Sequence, residues 1–452
     1  MNQVKMSIFL PYLLVFMLFI DNLHAVPGFS RQTGLECMAC HANSQPYLNS
    51  FGRGFARSAY TMSTKSGSQS LIVGEDIGLS LPAVLNISLI LKARYDKGYD
   101  VINGKGKVLE NSNGDDLGAN RGMYDIFKTS TINITGKVSD NVGSLLELRQ
   151  KIGKTVFGGK VVASFEMGDA YSGFVVYSTN NYGPFAGMET YSTGLYKPIR
   201  QFENHKLTNA AQAADLASGE ATGIQVFYAG EKLFLTVGAY VPIHNTDGID
   251  MGGSMISYGR IAYEQPIGNI NIIIGAYGIY GKSKASNTLL DVSLEGKVTQ
   301  ALVELEKEAY GVDLQIDGEL LSKNIIITMN AVLKNKTTLD DPNLMNYITG
   351  KNSTNIYGEP ADADMEAFSV SLEYYPWTPL GLKFAYLTLD DKGPHTFELD
   401  KVDAKDKDAY TVGFDYSFRQ NVKFAMEYSM VKPTRQDIED YTDLLSVLTI
   451  SF

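Results

Sequence analysis

The chain has 452 residues, 44% hydrophobic and 20% charged, which excludes a disordered polymer and a bundle of membrane helices. Lys and Arg number 39 against 50 Asp and Glu, a net charge of −11 that argues against nucleic acid as a partner, because a duplex binder needs a basic face. The 43 Gly, 27 Tyr and 21 Phe suit an antiparallel β protein, a membrane barrel among them, while two Cys exclude a disulfide scaffold and an all-cysteine zinc site.

Residues 1–25 have the form of a secretory signal. Lys5 supplies the positive start, Met6 to Ile20 is an apolar stretch broken by Pro11, and Leu23-His24-Ala25 ends as a cleavage site. A retained anchor is the alternative, but the stretch is shorter than the about 20 apolar residues of a span. Lys5 and Asp21 cancel, so removal leaves the net charge unchanged. No later apolar run reaches spanning length, so the exported chain is expected to lack a transmembrane helix.

Residues 26–84 form a candidate domain around Cys37-Met38-Ala39-Cys40-His41, the C-x-x-C-H pattern of c-type haem attachment. Two thiols at this spacing add to the two vinyl groups on one haem edge, and the following imidazole becomes the proximal iron ligand. The pattern therefore predicts one covalent haem c held by Cys37, Cys40 and His41. A local disulfide is the competing reading. A thioredoxin-like pair would need a βαβ setting that is absent from the sequence.

Met62 is the candidate distal ligand. From Val26 to about Ala83 no histidine other than His41 occurs, and a thioether would raise the haem potential. Met38 sits inside the attachment loop and cannot reach across the ring. Met62 as core packing, with another ligand or an open site, remains the alternative. His205, His244 and His395 fall in predicted loops and read as solvated. In Phe51-Gly52-Arg53-Gly54-Phe55-Ala56-Arg57 the two Phe and the two Arg are each spaced i, i+4. A short helix would give each pair its own face, the aromatics for the porphyrin and an arginine for a propionate. An ordinary amphipathic turn with surface arginines accounts for the same spacing.

From about Leu85 the pattern turns to period two. Tyr410, Val412, Phe414, Tyr416 and Phe418 alternate with Thr411, Gly413, Asp415 and Ser417; Val422 to Met430 repeats the pattern after Arg419-Gln420. Sixteen strands are expected, at 85–96, 125–138, 143–152, 161–168, 171–178, 222–229, 232–242, 255–265, 269–281, 307–316, 323–335, 365–375, 380–390, 408–418, 421–432 and 443–452. The connections at 97–124, 179–221, 282–306, 336–364 and 391–407 are long. Those at 139–142, 230–231, 266–268, 317–322, 376–379 and 419–420 are short. Short turns at one end and long loops at the other describe an outer-membrane barrel over 85–452. A soluble sandwich shares the strand alternation. The chain ends Leu448-Thr449-Ile450-Ser451-Phe452, an alternating strand with a terminal Phe that looks like the C-terminal signature of bacterial outer-membrane barrels.

The haem segment Phe29 to His41, then Leu48-Asn49-Ser50-Phe51-Gly52-Arg53-Gly54-Phe55 and Tyr60-Thr61-Met62, resembles that of the fused monohaem cytochrome–porins, outer-membrane iron oxidases of iron-oxidising bacteria. The resemblance spans the whole architecture, with about 35 specific residues. It implies an all-β fold, a 16-stranded antiparallel barrel plugged by a small N-terminal c-type haem domain. It implies an oxidoreductase in the bacterial outer membrane that oxidises extracellular Fe(II) and passes the electron to a periplasmic c-type cytochrome. Related fusions occur in bacteria not known to oxidise iron, so another donor, outward flow or a haem-plugged porin remain open, as does a soluble periplasmic haem protein.

Size constrains the plug. Sixteen strands about 4.8 Å apart and tilted about 40° make a barrel roughly 32 Å across, narrowed by side chains to roughly 20 Å. A 60-residue domain is about 25 Å across. Residues 30–62 are therefore expected in the lumen, with the rest at the periplasmic mouth. Asp115, Asp116, Asp340, Asp341, Asp362, Asp364, Glu366, Asp403 and Asp406 load the long loops. They would draw Fe(II) to the pore, or simply solvate the loops.

Overall fold

The computed structural model describes residues 27–42, 47–62, 72–73, 81–82, 86–97, 123–127, 130–151, 154–179, 183–185, 209–217, 221–242, 255–292, 298–340, 363–392, 407–419, 421–433 and 440–452. The signal segment, His205, His244, His395, Asp115, Asp116, Asp341, Asp362, Asp403 and Asp406 lie outside the described residues.

Sixteen antiparallel strands close into one barrel. They are β1 (Ile87–Lys97), β2 (Met123–Ile126 continued by Thr131–Ser139), β3 (Val142–Lys151), β4 (Lys154–Met167), β5 (Ala170–Thr179), β6 (Ala221–Ala229), β7 (Leu233–Val241) and β8 (Ile256–Ile267). Then come β9 (Ile270–Val292), β10 (Val298–Leu320), β11 (Lys323–Asp340), β12 (Ala363–Trp377), β13 (Leu380–Asp391), β14 (Lys407–Arg419), β15 (Val422–Pro433) and β16 (Tyr441–Ser451). Closure pairs β16 with β1, Leu444 opposite Lys97 and Ser451 opposite Ile90. Phe452 and Leu89 then exchange backbone hydrogen bonds of 2.9 and 3.1 Å, so the last residue seals the seam. A closed sheet leaves no edge to pair with another chain.

Every expected strand is present, and several differ from expectation in extent. β4 begins at Lys154, seven residues before the expected start, and pairs with β3 down to Lys151 opposite Lys154. β2 is interrupted after Ile126, and both of its pieces pair with β1. The expected loop 282–306 is mostly strand, because β9 and β10 each run 23 residues. That is about twice the 9–11 residues that cross a bilayer. The extension is polar, so it lacks the apolar alternation of a lipid-facing strand, and charges across neighbouring strands replace it. Lys282 lies 3.0 Å from Glu306 and Lys334 lies 2.8 Å from Glu308.

The side-chain pattern decides between a sandwich and a membrane barrel. In β14 the exposed face is Tyr410, Val412, Tyr416 and Phe418, and the buried face includes Thr411 and Asp415. β6 exposes Ile224, Val226 and Tyr228 and buries Gln225. A soluble protein buries its apolar face; here that face looks outward and the charges look inward. The protein is an outer-membrane β-barrel. No described helix is long and apolar enough to cross a membrane, and none is needed. Turns such as 140–141, 168–169, 268–269, 321–322 and 378–379 lie at one end, the periplasmic end of such barrels.

Inward charges are paired. Arg260 bonds Asp313 at 2.5 and 2.8 Å, and Lys383 lies 3.5 Å from Glu373 and 3.4 Å from Asp415. Connection 179–221 departs from the expected external loop, since its described residues enter the lumen. Its helix Ala210–Ala213 is capped by Asn209, and the amides of Ala210 and Ala211 donate to Ser369 Oγ and Asn330 Oδ1 at 2.9 and 2.8 Å. Phe185 packs edge-on to Tyr277 at 5.2 Å. Ala210, Ala211, Ala214, Leu216 and Ala217 are buried, and an Ala-rich, nearly chargeless stretch gains by leaving water.

Candidate functional site

The residues before β1 pack into the short-turn end of the lumen. They form α1 (Pro27–Thr33), α2 (Cys37–Cys40) and α3 (Ser50–Arg57), joined by tight backbone bonds. α2 is a single turn. Cys37 and Cys40 are three apart, hence on one side of it, half-buried and not joined in a disulfide. Burial pushes the Cys40 thiol up to about 11. His41 follows directly, and its amide donates to Cys37 O at 3.0 Å. The chain then turns back: His41 bridges Leu48, Ala42 N donates to Tyr47 O at 2.9 Å and Asn49 N to Cys40 O at 3.0 Å.

Asn49 joins this turn to the next helix. Its Oδ1 accepts from Gly52 N at 2.9 Å and caps α3, while its Nδ2 donates to Met38 O and Ala39 O at 3.3 and 3.1 Å. Gly52 then lies against the Cys37–Cys40 turn so closely that a Cβ there would sit 2.1 Å from Cys40 O. Gly54, one turn position away, has open space. Gly52→Ala is therefore expected to cost about 1–3 kcal/mol through displaced backbone. Gly54→Ala should stabilise by up to about 1 kcal/mol, by helix propensity. Thermal unfolding of the two variants checks the opposite signs.

Phe51 and Phe55 separate, against the expectation of a shared aromatic face. Phe51 is exposed, while Phe55 is buried against Phe29 and Tyr60, with centroids 5.1 and 5.7 Å away. Both arginines have partners in the protein. Arg53, 1% exposed, donates through Nε and Nη2 to the two oxygens of Glu264 in β8 at 3.0 and 2.7 Å. It also bonds Leu48 O and lies 3.9 Å from Asp317 in β10. Asn271 donates to Glu264 at 2.7 Å, and Gln315 donates to Leu48 O at 3.1 Å. Arg57 donates to Gly230 O at 2.7 Å and lies over the Tyr171 ring at 5.6 Å. Tyr47 reaches Ser371, Thr328, Glu373 and Lys383, and burial, aided by the Glu373 charge, pushes its phenol up to about 12.

Met62 ends this run of described residues, 38% exposed, its carbonyl accepting from Gln32 Nε2 at 2.8 Å. Of the acidic loop residues, Glu366 pairs with Lys392 at 2.7 Å at the surface. Asp340 closes β11 and Asp364 lies in β12. Among the described residues no group of three or more His, Cys, Asp or Glu is placed to hold a metal ion. Sequence reasoning missed Gln32, Asn49 and Glu264. Glu264 had one signal, a carboxylate on the non-lipid face of a strand, and Asn49 had another, a capping residue directly before a short helix; the partners of Gln32 had none.

No family model and no curated protein matches the chain. Solved structures similar to it are outer-membrane barrels. OmpT of Vibrio cholerae is 10% identical, with a TM-score of 0.44 over 84% of this chain and all of that one. The channel DcaP of Acinetobacter baumannii is 14% identical, TM-score 0.45, over 81% of this chain and 97% of its own. The anion-selective porin from Comamonas acidovorans is 12% identical, TM-score 0.44, over 82% and 99%.

Proposed function

We propose that the protein is an outer-membrane electron conduit with one covalent haem c, oxidising extracellular Fe(II) and reducing a periplasmic c-type cytochrome. One observation carries it: the only two cysteines of the chain stand on one turn before His41, not joined in a disulfide, in a segment lodged inside the barrel.

The donor set fits the group. Cys37 and Cys40 would hold it by thioether bonds, and His41 and Met62 would supply the nitrogen and sulfur donors for its iron. Once bound, the haem supplies a one-electron couple. The protein's own residues do the rest. Arg53, Glu264 and Tyr47 tie the segment to the wall, and the inward connection Ala210–Ala217 occupies the lumen from β5–β6. A simple diffusion pore has no need of an N-terminal segment tied into its lumen, whereas an inward connection such as Ala210–Ala217 narrows a pore or a conduit alike. Each Fe(II) that becomes Fe(III) releases one electron, and one ferric cytochrome becomes ferrous on the periplasmic side. No proton transfer is required, so no acid or base residue is assigned.

The test is stopped-flow reduction of the purified, air-oxidised protein by Fe(II), followed by haem absorbance. Rapid reduction is expected. Reduction by dithionite alone would reject iron as the donor. Free solute flux through liposomes bearing the protein would favour a haem-plugged porin.

A further inference from the structure

After α3 the chain turns just before Met62, at a local cost. Ala59 and Tyr60 both hold left-handed backbone, φ 57° and 59°. Each such residue costs about 1–2 kcal/mol in an L-amino acid, so the surroundings must over-determine the turn. Part of the hold is aromatic: the Tyr60 ring stacks on Phe29 at 5.0 Å and lies 5.8 Å from Lys160 Nζ.

The other part is one side chain. Gln32, at the end of α1, is fully buried. Its Nε2 donates to both Tyr60 O and Met62 O, the second at 2.8 Å. Its Oε1 accepts from Lys137 N in β2 at 3.1 Å. The wall is shaped for it: Gly136 has φ +119°, and a Cβ there would meet Gln32 Oε1 at 2.5 Å. One amide thus joins the helix before the attachment turn, the segment ending at Met62, and the barrel. Nothing in the wall or in α1 otherwise bonds the Met62 carbonyl among the contacts described.

We infer that Gln32 is a positioning residue that fixes Met62 for axial ligation by anchoring residues 60–62 to the barrel wall. This rests on the proposed haem function and on Met62 as the distal ligand. The carboxylate of Gln32→Glu can still accept from Lys137 N but cannot donate to the two carbonyls. The experiment measures covalent haem content, the weak red absorption band of methionine-ligated ferric haem, and the midpoint potential. It compares the full-length wild type, Gln32→Glu, Gly136→Ala and Met62→Ala, with barrel folding checked by heat-modifiable electrophoresis.

In Gln32→Glu, covalent haem is expected to be kept, with the methionine band weakened and the potential shifted toward that of Met62→Ala. Gly136→Ala, which disturbs the same amide from the wall side, should shift both readouts the same way and keeps the test alive if Gln32→Glu does not fold. A merely structural glutamine would change thermal stability and leave band and potential alone; that result overturns the inference. If Met62→Ala leaves the spectrum unchanged, the ligand assignment falls and the inference with it, while the conduit stands. A wild type without covalent haem overturns the functional proposal itself.

Discussion

Glu264→Ala is expected to open the barrel. The variant leaves Arg53 buried with its bidentate partner gone and only Asp317, at 3.9 Å, to balance it. Breaking a buried ion pair by removing one partner costs about 3–5 kcal/mol, more than a hundredfold in the docked population of the N-terminal segment. The barrel does not depend on that pair, because its strands are held by their own ladders. Its heat-modifiable migration should persist while small solutes begin to cross liposomes and proteases reach residues 47–62. Arg53→Leu with Glu264→Leu should reseal much of the leak, since no charge is then buried alone. A Glu264→Ala protein as tight as the wild type would show that Arg57, Tyr47 and Gln32 hold the segment without it.

The second large effect lies at the thiols. Cys37→Ser with Cys40→Ser should remove covalent haem altogether, so that denatured protein shows no haem stain and Fe(II) no longer changes the visible spectrum. Serine keeps the size and polarity of the turn, and α2 is held by Asn49 and by backbone bonds rather than by the thiols. The barrel should therefore insert normally. Haem bound at wild-type level in the double variant would mean that the C-x-x-C-H spacing is incidental.

Local periodicity made the strands legible. Tyr410, Val412 and Thr411 differ in polarity by position, and a two-residue repeat is visible without knowing the neighbours. The tall hairpin of β9 and β10 was not legible, because Lys282 and Glu306 look like loop residues until the sheet sets them opposite each other. The inward packing of Ala210–Ala217 was hidden for a similar reason. An Ala-rich run with a single charge states only that it prefers to be buried, and which cavity receives it depends on Ser369 and Asn330, more than a hundred residues away.

The attachment pattern is local too, since five consecutive residues contain the whole Cys37-to-His41 spacing. What surrounds it is not. Arg53 and Glu264 stand 211 positions apart, and nothing near either one names the other. Read alone, Arg53 suits a propionate or a solvated surface equally. The sequence by itself determined strand number, the polarity of each face and the thiol–imidazole spacing, because each depends on residues within a few positions. Only the tertiary structure decided which face meets lipid, which arginine is buried and how Gln32 reaches Met62. Those are outcomes of closure, and closure brings together side chains whose separation along the chain carries no local trace.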